Sequence, residues 1–368
     1  MIKKSNKALL FTWISVISVF FWTSTAQAQW TWWGFFDIDY SFSPSDSVGA
    51  LENGAFSIGQ FDMFTSYNMD DRIEVLAELV FEAPEGDVLV DLERVLVSYT
   101  FADAFTVEAG RGHTPLGYYS NTFHHGRQLE SAIGRPLILE FEDEGGLIPA
   151  HIVGMWARGF FSGDAGTAEY HLGIINGQKL DADNGELSLN LGSDDDKNKT
   201  VIGKINLEPT ALGGFAFGGS FSIGKMNGFS EFAANPATPV IQLDQTTLGL
   251  HAYYDILPVQ FIGEFYSISS KDKLAAGTPT FTSTGFFVQG AYEFQQKYRP
   301  YARYEKVSPE KGDPYTSTLF GSEDVERFTA GFRFNISEQS SIKIQGISQQ
   351  TGNADRITIL GAQWSVVF

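Results

Sequence analysis

The last twelve residues, ITILGAQWSVVF, alternate between two faces. Leu360, Ala362, Trp364, Val366 and Phe368 share one parity, and Gly361, Gln363 and Ser365 share the other. Ile359 and Val367 are the apolar exceptions on the polar side. A period of two is the mark of a β-strand with one apolar and one polar face. The same period recurs along the whole chain, and this restricts the fold more than any other feature. Phe36, Ile38, Tyr40 and Phe42 oppose Asp37, Asp39 and Ser41. Ile73, Val75, Ala77, Leu79 and Phe81 oppose Glu74, Glu78 and Glu82. Phe215, Phe217, Phe221 and Ile223 oppose Ala216, Gly218, Ser220 and Ser222, and Phe328, Ala330, Phe332 and Phe334 oppose Arg327, Thr329 and Arg333. The fourth strand changes phase near Arg94: Val88, Val90 and Leu92 lie on one parity, Val95, Val97 and Tyr99 on the other. A bulge there, or a strand that starts later, accounts for it.

A soluble two-sheet sandwich alternates too. Its core, however, would be built of Leu, Ile and Val, whereas here the apolar parity carries Phe, Tyr, Ala and Gly throughout. The connections also alternate in length. Short ones fall at 68–71, 102–104, 163–167, 209–213, 257–258, 296–297, 336–339 and 352–355. Long ones fall at 43–53, 83–87, 112–146, 177–198, 226–244, 271–281 and 309–324. Short turns at one end and long loops at the other describe an all-β transmembrane antiparallel β-barrel. The segments make about 16 strands, and boundaries read to within 2–4 residues also admit 14 or 18.

Residues 1–28 read as a secretory signal peptide. Lys3, Lys4 and Lys7 precede an apolar run from Ala8 to Trp22, and Ala26-Gln27-Ala28 has the small-x-small pattern of a cleavage site. Residues 29–368 then form one β-barrel domain. No later stretch reaches about 18 continuous apolar residues, so no spanning helix is expected. A closed barrel is the other structure that satisfies its backbone within a bilayer. The formal net charge of −19 argues against nucleic acid, whose phosphates require a basic stripe. The absence of cysteine rules out disulfides, thiolate metal sites and a cysteine nucleophile.

With these features in place the chain resembles the Gram-negative outer-membrane porins. The segment GRGHTPLGYYSNTFHHGRQLESAIGRP, residues 110–136, is similar in style to the phosphate-selective porins. The resemblance implies outer-membrane lipids as surroundings and passive diffusion of small hydrophilic solutes or ions, often through a homotrimer. It also implies that the long loop after the fifth strand folds into the lumen and narrows it.

That loop carries Arg111, His113, His124, His125, Arg127 and Arg135, and then turns acidic at Glu140, Glu142, Asp143 and Glu144 before His151. As a constriction, these charges would bind or reject permeating ions. As structure, the arginines would pair with the acids and hold the loop to the wall. Face assignment by parity puts Asp37, Asp39, Glu74, Glu78, Glu82 and Glu108 inward on strands one to five. Arg299, Arg303, Arg327, Arg333 and Lys343 face inward on strands thirteen to fifteen. Lipid-facing Arg or Lys costs about 2–4 kcal/mol at the bilayer midplane, which explains the inward placement but not the separation of sign. The expected lining is therefore a positive side from Arg111, Arg127, Arg135 and the basic wall, and a negative side from Glu74, Glu78 and residues 140–144.

No metal spacing such as HExxH is present, and His124 and His125, being adjacent on an extended chain, point apart. Metal and cofactor are both expected to be absent. Ser120, Asn121 and His124 are near one another in sequence, but a triad is defined by geometry, and no GxSxG elbow occurs. An enzyme is not expected. Two alternatives to a porin stand: a plugged barrel acting as a surface-binding or structural protein, and a barrel hydrolase.

Overall fold

The computed structural model describes residues 29–44, 52–83, 88–124 and 129–368. The signal-peptide segment, His125 and Arg127 lie outside them. Among the described residues there are eighteen strands: β1 (Gln29–Phe42), β2 (Ala55–Asn68), β3 (Ile73–Glu82), β4 (Leu89–Ala102), β5 (Phe105–His113), β6 (His151–Gly163), β7 (Gly166–Asn176), β8 (Gln178–Asp181), β9 (Glu186–Leu189), β10 (Lys199–Pro209), β11 (Phe215–Phe229), β12 (Ile241–Ile256), β13 (Val259–Asp272), β14 (Thr280–Tyr292), β15 (Tyr298–Ser308), β16 (Val325–Ser337), β17 (Ser340–Thr351) and β18 (Ile357–Val367). All except β8 and β9 form a closed antiparallel barrel of 16 strands, in which neighbours in sequence are neighbours in space. Among the described residues no helix is long and apolar enough to cross a membrane.

Closure is made by β18 against β1, with Phe35 opposite Val367 and Phe42 opposite Leu360. The parity read from the last strand holds. Gln363 and Ser365 are buried and face inward, bonded to Lys343 and Ser341, while Trp364 and Phe368 are more than half exposed on the outside. In β4 the ladder shifts register between the Glu78–Arg94 and Leu79–Leu92 pairs, so the phase break is a bulge centred on Glu93. The extra residue turns Glu93 and Arg94, consecutive in sequence, both toward the lumen. The connection at 177–198, expected to be a plain loop, contains the β8–β9 hairpin, and β8 adds to β11 in parallel.

An apolar core joins the β5–β6 connection to the strands. Leu116, Tyr119, Phe123, Leu137, Ile138, Leu139, Leu147 and Ile148 of the β5–β6 connection pack with Ile262, Tyr266, Phe287, Val307 and Tyr315. Burying such side chains contributes about 1.5–3 kcal/mol each, so this segment is held as firmly as an ordinary protein core.

Candidate functional site

The β5–β6 connection is bonded to inward side chains of β13, β15, β16 and β17. At its start, Glu264 on β13 accepts from the backbone N–H groups of Tyr118 and Tyr119 at 2.6 and 2.7 Å. Gly117 makes this approach possible: its φ is +78°, and a Cβ there would lie 2.1 Å from the Tyr266 hydroxyl. Further along, Arg303 on β15 donates to the carbonyls of Gly134 and Arg135, each at 2.9 Å. Glu305 accepts from the Leu137 N–H at 2.6 Å and pairs with Arg303 at 3.1 Å. Lys343 on β17 donates to the Ala132 carbonyl at 3.1 Å, and Arg333 on β16 to that of Glu130 at 2.9 Å. Arg327 pairs with Glu140 at 3.3 Å. Arg303 and Lys343 are essentially inaccessible, and buried guanidinium and ammonium groups require such partners.

Of the basic wall residues named from the sequence, Arg303, Arg327, Arg333 and Lys343 bond the connection. Arg299 stands apart, paired with Glu293 at 2.8 Å near the short-turn end. Arg135 braces the connection from within: it donates to the carbonyls of Leu139 and His124 and lies over the Phe141 ring at 4.4 Å. Arg135 also donates to the Ser120 hydroxyl at 3.5 Å.

The opposite sector, β2 to β6, borders open space. A cavity of about 420 Å³ on the long-loop side is lined by Glu82, Asp91, Glu93, Arg111, Glu142, Asp143, Glu144 and His151. A second, of about 240 Å³ on the short-turn side, is lined by Glu74, Arg94, Glu108, His113, Arg158 and His171. Between them lies a charged junction. Arg94 forms an ion pair with Glu78, and Arg111 lies 3.5 Å from Glu93. Asp62 on β2 is within electrostatic reach of Glu78, Glu93 and Arg94. His113, His124 and His151 converge here, and His151 also contacts Glu93.

Glu142 accepts from the Ala150 and His151 backbone N–H groups at 2.9 and 2.8 Å, and its second oxygen lies 3.2 Å from His151 Nδ1. Burial pushes the Glu142 carboxyl up, but the His151 imidazole beside it outweighs this and holds it below the usual carboxylate range. Burial pushes Glu140 up to about 8 against the pull of Arg327. Glu93, Arg94 and Asp62 were absent from the candidates read by parity. The bulge itself was the signal for Glu93 and Arg94, because a phase break adds one residue to the inward face.

No family model matches this chain, and no curated protein does. Solved structures do. OmpT of Vibrio cholerae, an outer membrane protein in a trimer form, superposes with a TM-score of 0.62 at 12% identity, over 93% of this chain and 100% of that one. An anion-selective porin from Comamonas acidovorans gives 0.64 at 11% identity, over 93% and 100%. OmpF of Salmonella typhi, in complex with daunomycin, gives 0.59 at 12%, over 93% and 98%. The fold is thus the 16-stranded porin-type barrel.

Proposed function

We propose that this protein is an outer-membrane porin that lets small hydrophilic solutes or ions diffuse passively along its acidic sector. Residues 1–28 act as a cleaved secretory leader. Residues 29–368 span the membrane with the apolar outer parity against lipid. The connection at 112–146 folds into the lumen and leans on the basic sector. A homotrimer is the proposed assembly, in keeping with the trimer form of the OmpT structure.

One observation carries this reading: the cavities on either side of the charged junction both lie against β2 to β6. Arg303, Arg333 and Lys343 of β15 to β17 are turned instead to backbone carbonyls of the connection. A route lined by Glu82, Asp91, Glu93, Asp143 and Glu144 favours cations, because fixed carboxylates raise the local concentration of the opposite charge. Purified protein in planar bilayers tests the proposal. Discrete conductance steps support it, and a folded preparation silent at every voltage rejects it.

A second reading, the plugged barrel, is favoured by the junction itself. Glu78, Glu93, His124 and His151 are each no more than 5% exposed, so the two cavities are separated in this conformation. The silent preparation just described is the result that selects it.

A further inference from the structure

β5 and β6 pair with His113 directly opposite His151, so both imidazoles leave the same face on one rung of the ladder. The long connection brings His124 over them. Its ring stacks on that of His113 with centroids 3.5 Å apart, and its Nε2 lies 2.8 Å from His151 Nε2. One nitrogen from each of the three rings lies within 4.8 Å of the others. Carboxylates complete the surroundings. Glu93, turned inward by the bulge, contacts His151 Nε2, and Glu78 Oε2 lies 3.6 Å from His113 Nε2.

The far side of His151 carries a second indication. Its Nδ1 lies 3.2 Å from Glu142 Oε2, while its Nε2 faces the cluster. Metal-ligating imidazoles are commonly oriented this way: one nitrogen meets the ion, and the other donates to a carboxylate that fixes the tautomer. Tetrahedral zinc with Zn–N bonds of about 2.0–2.1 Å separates its ligand nitrogens by roughly 3.3 Å. The 2.8 Å between His124 and His151 therefore needs to widen by only a fraction of an ångström. The carboxylates of Glu78, Glu93 and Glu142 and the guanidinium groups of Arg94 and Arg111 surround the rings.

We propose that His113, His124 and His151, with Glu93 as fourth ligand, form a binding site for a divalent transition cation of the zinc type. Imidazole-rich sites suit zinc, copper and nickel, whereas calcium and magnesium require oxygen ligands. The ion joins the ends of β5 and β6, the β4 bulge and the in-folded connection at the point that separates the two cavities. The site is independent of whether the barrel conducts; binding requires His113 and His124, stacked here, to turn their ring edges toward the ion.

The test uses untagged, detergent-solubilised full-length protein stripped with chelator and then dialysed against Zn²⁺. One Zn²⁺ per chain is expected. The X-ray absorption spectrum should contain three imidazole ligands at about 2.0–2.1 Å. His124→Ala should weaken binding at least 10-fold, and Glu142→Gln, which removes only the orienting carboxylate, by about 10–100-fold. No stoichiometric binding by folded protein, or a spectrum without imidazole, overturns the proposal. So does unchanged affinity in folded His124→Ala. If that variant does not fold, the wild-type spectrum and Glu142→Gln decide the matter.

Discussion

The two sides of the lumen use inward charge in opposite ways. On β15 to β17, Arg303, Arg333 and Lys343 donate to the carbonyls of residues 130–135, and Glu305 accepts from Leu137. Each of these four charges has a fixed backbone partner. Across from them, Glu82 on β3 and Asp91 on β4, with Asp143 and Glu144 of the connection, face an open cavity instead. The contrast teaches that an inward parity does not by itself make a pore lining. A charge acts on solutes only if the folded connection leaves it uncovered. The basic sector holds the connection, and the acidic sector borders the cavity.

The largest predicted effect comes from breaking the anchor. Arg303→Ala strands buried Glu305 and releases two carbonyls, and removing one partner of a buried pair costs about 3–5 kcal/mol. Thermal unfolding followed by loss of β-sheet circular dichroism should occur at markedly lower temperature. Bilayer conductance should rise as the connection loosens. An unchanged melting temperature would remove the distinction between the two sectors.

A smaller effect is expected from the open side. Replacing Asp91 and Asp143 with Asn should reduce cation preference, read as a reversal-potential shift toward zero, with little change in stability. Replacing Arg299 and Glu293 together with Ala should leave that potential where it is, because the pair, 2.8 Å apart, is neutral as a unit. If losing this pair moves the potential more than the two aspartates do, the assignment of roles is inverted.

A pH dependence of stability is expected as well. Glu140 has a folded-state pKa of about 8 against an ordinary 4.5, so the folded protein binds a proton there that the unfolded chain has lost. Stability is therefore predicted to fall as pH rises from about 4.5 to about 8, and to level off above. Glu140→Gln should flatten that part of the profile. An unaltered slope in the variant would assign the dependence to other groups.

Much of the barrel was legible in the sequence, because alternation and turn spacing are local properties. The face of Gln363, the bulge at Glu93–Arg94 and the place of the long connection after β5 all follow from period and phase. What parity could not give is the partner. It placed Arg303 and Lys343 inward, but the carbonyls they hold belong to residues some 170–210 positions earlier in the chain. The histidines show the same limit. His124 and His125 drew attention because they are adjacent, whereas the residues that meet are His113, His124 and His151. Pairing the ends of β5 and β6 in register would have set His113 opposite His151, since the two residues flank the connection directly. The arrival of His124 depends on the packing of Tyr119, Phe123 and Arg135, which no local pattern encodes.

The claim that the acidic sector is the open one is tested most directly by the reversal potential of the wild-type protein in a planar bilayer under a potassium chloride gradient. The account predicts a potential of the sign given by preferential potassium passage. A potential of the opposite sign, set by chloride, would contradict it and return the basic wall to the pore lining.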